Sequence, residues 1–273
     1  MTGTEEALVA RLRAAGCVFA EEEARLLVEH GGDVDALAVR RAAGEPLEHL
    51  LGWVELAGRR WSVGPGVFVP RRRSELLVRA ALAAPGAAGV DRARPAVVLD
   101  LCCGCGAVGG AVASALPDVV LHASDVEPAA VAHARTNLTP LGGTVHRGDL
   151  FDPVPGGLRG AVDVLLCHAP YVPSAAIATM PPEAREHEPR VALDGGTDGL
   201  DVLRRMVAEA PGWLRPGGSL LFEVGTDQVT GALALVGSAG LEGRVVHDED
   251  DDGPGGTVVV ATSAGPSGAG APG

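Results

Sequence analysis

Apolar residues recur at helical spacing across residues 4–43: Leu8, Val9 and Leu12, then Ala24, Leu26 and Leu27, then Leu37 and Ala38, all set among Glu and Arg. Gly31-Gly32-Asp33 interrupts the series. The spacing predicts short helices, in a segment too small for a core of its own. After Glu45-Pro46 the pattern turns strand-like. Residues 50–56 and 60–63 flank Ala57-Gly58, which predicts a β-hairpin. Helical spacing returns at Leu76, Leu77, Ala80 and Ala81. From Arg94 onward strands alternate with helices. Strands are expected at Ala96–Leu101, 119–123, 144–146, Val162–Cys167 and 219–224, with helices at Ala107–Ala115, 129–137 and 200–210. Residues 243–247 and Thr257–Thr262 form a terminal antiparallel pair around the acidic run 248–252. This alternation predicts an α/β fold with a parallel sheet covered by helices on both faces.

Two strand ends carry the candidate chemistry. Val162–Cys167 is an apolar run without helical period, which reads as a strand buried on both faces. It ends in His168, Ala169, Pro170 and Tyr171, the chain's only tyrosine. Pro170 cannot donate to a ladder and biases Ala169 toward an extended shape. The result is a stiff loop at a strand's C-terminal edge, where open α/β sheets bind ligands. The second strand end is Asp100-Leu101-Cys102-Cys103-Gly104-Cys105-Gly106. This small-residue turn lets a ligand approach the backbone and exposes free N–H groups at the following helix. Asp125 follows Gly104 by 21 residues at the next strand's end, where a carboxylate can accept ribose hydroxyls. Asp149, after Gly148, is placed either for an adenine amino group or as a turn cap. Together they indicate a nucleoside ligand. Gly109 follows Gly106 by three, so the spacing leaves NAD open beside S-adenosylmethionine.

Composition narrows the class. With 273 residues, 47% of them hydrophobic, the chain can bury a sizeable core. Lysine is absent and every basic residue but histidine is arginine. The net charge of −13 argues against an unspecific nucleic-acid footprint, which requires clustered positive charge. Five cysteines without an even framework, no signal-peptide pattern and no run long enough to span a bilayer predict a cytoplasmic protein. Cys102, Cys103, Cys105 and Cys167 include no separate ligand pair at zinc-finger spacing, so no metal is expected. Their thiols are candidate targets of oxidation.

The order of these motifs resembles that of class I S-adenosylmethionine methyltransferases, and the segments flanking them resemble one family in particular. Pro46-Leu47-Glu48-His49-Leu50-Leu51-Gly52, Pro65 to Arg71 and Ser74-Glu75-Leu76 are similar to the connector of release factor glutamine methyltransferases. So are Glu188-Pro189, Ala192-Leu193, Gly195-Gly196, Asp198-Gly199-Leu200, Pro216-Gly217-Gly218, Glu223, Gly225 and Gln228 downstream. The resemblance implies a Rossmann-like fold with a seven-stranded, mostly parallel sheet. It implies a division into an N-terminal helical docking domain (1–45), a hairpin connector (46–70) and a methyltransferase domain (71–262), and the Gly/Pro/Ala/Ser composition of 263–273 predicts a disordered tail. S-adenosyl-L-methionine is then the cofactor, bound by Asp100, Cys102, Gly104, Gly106, Asp125 and Asp149 and bordered by His168. The implied substrate is the glutamine amide in the Gly-Gly-Gln loop of a peptide chain release factor, positioned by His168, the Ala169 carbonyl, Pro170 and Tyr171. The chain departs from the family pattern in having His168-Ala169 for Asn-Pro and Arg72-Arg73 for Pro-Glu. These departures leave open another nitrogen substrate, or a cofactor-binding module with little catalysis. A strand-end histidine can also be a purely structural, hydrogen-bonded residue.

Overall fold

In the computed structural model, which describes residues 3–88, 94–248 and 255–264, helices fill the N-terminal segment. They are α1 (Gly3–Ala14), α2 (Ala20–His30), α3 (Val34–Ala42) and α4 (Leu47–Leu51). Asp33 ends the break before α3 by accepting the Ala36 N–H on its carboxylate at 3.0 Å, an N-terminal cap. Leu8, Leu12, Ala24, Leu27 and Ala38 share a buried cluster apart from the sheet's, to which α4 adds Leu50 and Leu51 from outside the segment. Arg41 ties the segment outward, donating to Glu23 at 2.6 Å and to Glu183 at 3.0 Å. Leu50 and Leu51 lie in a helix, not in the expected strand. Pro46 precedes the first turn of α4, and Gly52, at φ +77°, closes it with an N–H to the Glu48 carbonyl.

The hairpin therefore begins at Trp53. Strand β1 (Trp53–Leu56) pairs antiparallel with β2 (Arg59–Ser62) across Ala57 and Gly58, both at positive φ as a tight hairpin turn requires. Trp61 anchors it: the indole N–H bonds the Leu56 carbonyl at 3.1 Å, and the ring lies over the backbone at Gly110.

The remaining elements are α5 (Glu75–Leu82), α6 (Pro85–Ala88), β3 (Ala96–Leu101), α7 (Ala107–Ala115), β4 (Val119–Asp125), α8 (Pro128–Leu138), β5 (Thr144–Arg147) and β6 (Val162–Cys167). After them come α9 (Pro182–His187), α10 (Asp201–Glu209), β7 (Leu214–Glu223), α11 (Val229–Ser238), β8 (Glu242–His247) and β9 (Thr257–Thr262). The seven-stranded sheet has the order β5-β4-β3-β6-β7-β9-β8. It is parallel from β5 to β7, and β9 runs antiparallel to both its neighbours. Strand alternation splits the core between its faces. Val98, Val164, Leu166 and Leu221 meet α5, α7 and α8, while Leu99, Leu165, Leu220 and Phe222 meet α10 and α11. All six residues of β6 are buried, Asp163 among them, which explains a strand with no polar face. This is the Rossmann-like fold of class I methyltransferases. No helix among the described residues is long and apolar enough to cross a membrane. Of the acidic run only Asp248 is described, 2.5 Å from Arg79; its other residues and the tail beyond Ala264 lie outside the described residues.

At Gly110 an added Cβ would come within 2.5 Å of the Trp61 ring. Gly110→Ala should therefore push the hairpin off α7 and cost about 1–3 kcal/mol, read as a lowered denaturant midpoint with an unchanged m-value.

Candidate active site

The strand order reverses between β3 and β6, so the turns that follow these strands open side by side. They share a cavity of about 390 Å³, completed by the ends of β4 and β5 and by connector residues between Gly66 and Arg73. That size suits a small-molecule site.

On the β3 side the chain turns sharply, with Cys102 at φ +52°, Gly104 at φ +54° and Gly106 at φ +79°. Gly106 must be glycine on packing grounds as well, since a Cβ there would sit 2.9 Å from Leu138. Asp125 shapes the turn from β4: one carboxylate oxygen accepts the Gly104 N–H at 2.8 Å, the other the Glu127 N–H at 2.9 Å. Burial raises its pKa, against the pull of these bonds, and lone pairs remain for a ligand. Asp149 lines the cavity from the end of β5, and its carboxylate meets Arg205 of α10 at 2.5 Å.

Asp100 is the most constrained acid. It is buried, one oxygen accepts the Gly109 N–H at 3.0 Å, and the other has no hydrogen-bond partner among the described residues. Burial pushes its pKa up to about 7, the Asp125 charge adds to this, and the Gly109 bond opposes it. A Cβ on Gly109 would come 2.6 Å from that carboxyl. Gly109 thus serves the approach of helix to acid.

On the β6 side, His168, Ala169, Pro170 and Tyr171 border the same cavity. The His168 ring stands edge-on to Phe68, centroids 5.4 Å apart, and its Nε2 lies 3.6 Å from a Glu223 carboxylate oxygen. Burial holds the imidazole pKa below its usual value, more than Glu223 raises it, so the ring is neutral at pH 7. Glu223, at the end of β7, is buried and multiply bonded. It accepts from Arg73 Nε at 2.9 Å, the Tyr171 hydroxyl at 2.7 Å and the Ser74 hydroxyl at 3.1 Å. Burial raises its pKa, but the facing His168 and then the bonds from Tyr171 and Arg73 outweigh this and lower it. Arg73 also donates to the Tyr171 hydroxyl at 2.8 Å. A second pair runs alongside, Arg71 donating to buried Glu188 at 2.6 Å and the Val69 N–H bonding the same oxygen at 3.1 Å. Arg71 and Arg73 are therefore engaged inside the chain while lining the cavity.

Sequence reasoning named Glu188 and Glu223 without a role and missed Arg205 altogether. Arg205 reaches Asp149 across 56 positions, a separation over which a single sequence carries no pairing signal. Contact with Cys167 and then burial raise the thiol pKa of Cys102, burial raises that of Cys103, and burial pushes Cys105 up to about 12, all of which disfavours the reactive thiolate. Among the described residues no group of three His, Cys, Asp or Glu is placed to hold a metal.

Residues 75–180 match the family described as methyltransferase small domain. Over 262 residues the chain is 36% identical to a release factor glutamine methyltransferase of Deinococcus radiodurans, spanning 88% of this chain and 91% of that one. It is 39% identical over 208 residues to the enzyme so named in Geobacter sulfurreducens, 75% of this chain and 69% of that one. The chain belongs to the release factor glutamine methyltransferase family. It is a methyltransferase, and its cofactor is S-adenosyl-L-methionine. Among solved structures, the 16S rRNA N2 G1207 methyltransferase of T. thermophilus with AdoMet and guanosine superposes at a TM-score of 0.54. It is 19% identical over 77% of this chain and 49% of that one, a likeness of fold alone.

The Asp100 carboxyl keeps its proton to about pH 7 when folded and loses it near its ordinary value of 3.8 when unfolded. Its contribution to stability is thus full below the unfolded pKa and is lost as pH rises through the folded one. Asp100→Asn should abolish this component. The gap between wild-type and variant denaturation midpoints should move in the variant's favour between pH 4 and pH 7.5.

Proposed function

We propose that this methyltransferase transfers the methyl group to the side-chain amide nitrogen of a glutamine, the one in the Gly-Gly-Gln loop of a peptide chain release factor. The observation that carries this reading is that the small-residue turn after β3 and the His168–Tyr171 loop after β6 open from neighbouring strands onto one cavity. The cavity suits the cofactor. The unpartnered Asp100 oxygen offers an acceptor to an ammonium group, and Asp125 keeps lone pairs for ribose hydroxyls. Cys102, Gly104 and Gly106 form the cradle, and Asp149, steadied by Arg205, takes the adenine amino group. When bound, the cofactor supplies a methyl on a sulfonium and is left as the thioether S-adenosylhomocysteine.

The chain's own work is to present the nitrogen. An amide nitrogen is a poor nucleophile because its lone pair is delocalised into the carbonyl. The unprotonated ring nitrogen of His168 and the Ala169 carbonyl accept its two N–H bonds, aim it at the methyl and favour pyramidalisation. The nitrogen forms its new bond to carbon as the carbon–sulfur bond breaks, and it sheds one proton. A neutral imidazole can take that proton and pass it to solvent, as an asparagine at this position cannot. Pro170 stiffens the loop and the Tyr171 ring walls the slot. Residues 1–45 dock the release factor. The acidic net charge favours a protein partner over nucleic acid, and five free cysteines suit the cytoplasm.

Incubation with labelled S-adenosylmethionine and a purified release factor should put label on the Gly-Gly-Gln glutamine, located by mass spectrometry. Label on a small molecule, or on no cellular component, would overturn the substrate. Burial sets the His168 pKa below 6.5, so activity should fall only as pH drops below that value. His168→Asn should flatten the acid limb, and His168→Ala should lose about 100-fold in kcat.

A further inference from the structure

Both departures from the family pattern at this site, His168 and Arg73, converge on a single carboxylate. Glu223 lies 3.6 Å from His168 Nε2 and accepts from Arg73, Ser74 and the Tyr171 hydroxyl. Among the described residues no hydrogen bond engages either ring nitrogen of His168; the residue lines the cavity, and its Nε2 faces Glu223 at 3.6 Å. An isolated imidazole would be free to carry its proton on either nitrogen, and only one of the two tautomers leaves a given nitrogen as acceptor. A carboxylate facing Nε2 decides between them, because it is stabilised by an N–H and repelled by a lone pair.

We propose that Glu223 is a positioning residue that keeps the proton of His168 on Nε2, so that Nδ1 is the acceptor offered to the substrate nitrogen, and that Arg73 keeps this carboxylate from drawing a second proton onto the ring. The inference rests on the function proposed above. An amide side chain at 168 has a permanent acceptor and needs no such device; an imidazole has one only while neutral and correctly tautomeric. Glu223 alone at 3.6 Å would favour the imidazolium, which has no acceptor at all. Arg73 prevents this by taking up the carboxylate charge, with the two hydroxyls of Ser74 and Tyr171 completing the clamp. The groups that face the ring are Glu223 from β7, Arg71 and Arg73 from the segment before α5, and Tyr171 and Phe68 as ring neighbours. Burial first, and then the two arginines, oppose protonation of His168 against the pull of Glu223. The separation exceeds a hydrogen bond, so the carboxylate biases the tautomer while leaving the ring able to follow the substrate.

The test is nitrogen NMR on protein carrying labelled histidine, with His168→Asn assigning the signal. At pH 8 the wild-type His168 should show a protonated Nε2 and a bare Nδ1. Dominance of the opposite tautomer would overturn the proposal, and this measurement needs no variant of the clamp. Arg73→Met should raise the His168 pKa and carry the acid limb of the rate profile upward by about one pH unit. At neutral pH kcat should fall while KM holds, and Arg73→Lys should restore most of the loss. A folded Arg73→Met protein whose acid limb stays in place would refute the role of Arg73. A correct tautomer in an enzyme that leaves release factors unlabelled would fail the substrate assignment alone; labelled glutamine with the opposite tautomer would fail this inference alone.

Discussion

The parallel pairing of β3 with β6 is the constraint on which the site depends. Leu101 lies opposite Cys167, so Cys102 and His168 leave the sheet as neighbours. A slip of one residue would turn every side chain of β6 to the other face and carry the loop's register with it. The slip is prevented from both sides of the strand. Leu165 and Cys167 belong to one core cluster, Val164 and Leu166 to the other, and none of them can be exchanged for a polar neighbour. At the strand's far end buried Asp163 is held by Arg94 at 2.7 and 2.8 Å and by the Val97 N–H at 2.8 Å, which fixes β6 lengthwise against β3.

Beyond that pairing, the site is organised by acids that differ in their neighbours. Asp100 has only a peptide N–H and is pushed toward its neutral form. Glu223 has a guanidinium and two hydroxyls and stays ionised. Both are buried, so the difference comes from partners rather than depth. A cation arriving beside Asp100 would draw it back to its ionised form, while Glu223 can shape a neutral ring, within a single sheet edge.

Much of this was legible in the sequence, for identifiable reasons. Val162–Cys167 and Ala107–Ala115 matched their expected bounds because a doubly buried strand and a helix entered through glycines leave unambiguous patterns. Leu50 and Leu51 misled because a five-residue helix is too short to show a period. Strand β7 starts at Leu214, earlier than expected, because Pro216-Gly217-Gly218 reads as a turn while the structure carries the strand through it with a register shift. The ion pairs were not legible. Arg73 and Glu223 are 150 positions apart and Arg71 and Glu188 are 117 apart, distances over which a single sequence carries no pairing signal. Position 168 was legible as a site residue through its motif, but its protonation is set by Glu223 and by burial, which only the fold reveals.

The absence of lysine has a consequence at the cavity. Its positive groups, Arg71, Arg73 and Arg205, are all guanidiniums, which hold their charge across the whole range in which a protein stays folded. An ammonium in the same places would sit among buried acids and could surrender its proton to them. Here the cationic half of the electrostatic potential is constant with pH, a fixed background field, and proton traffic at this sheet edge is confined to carboxyls and a single imidazole.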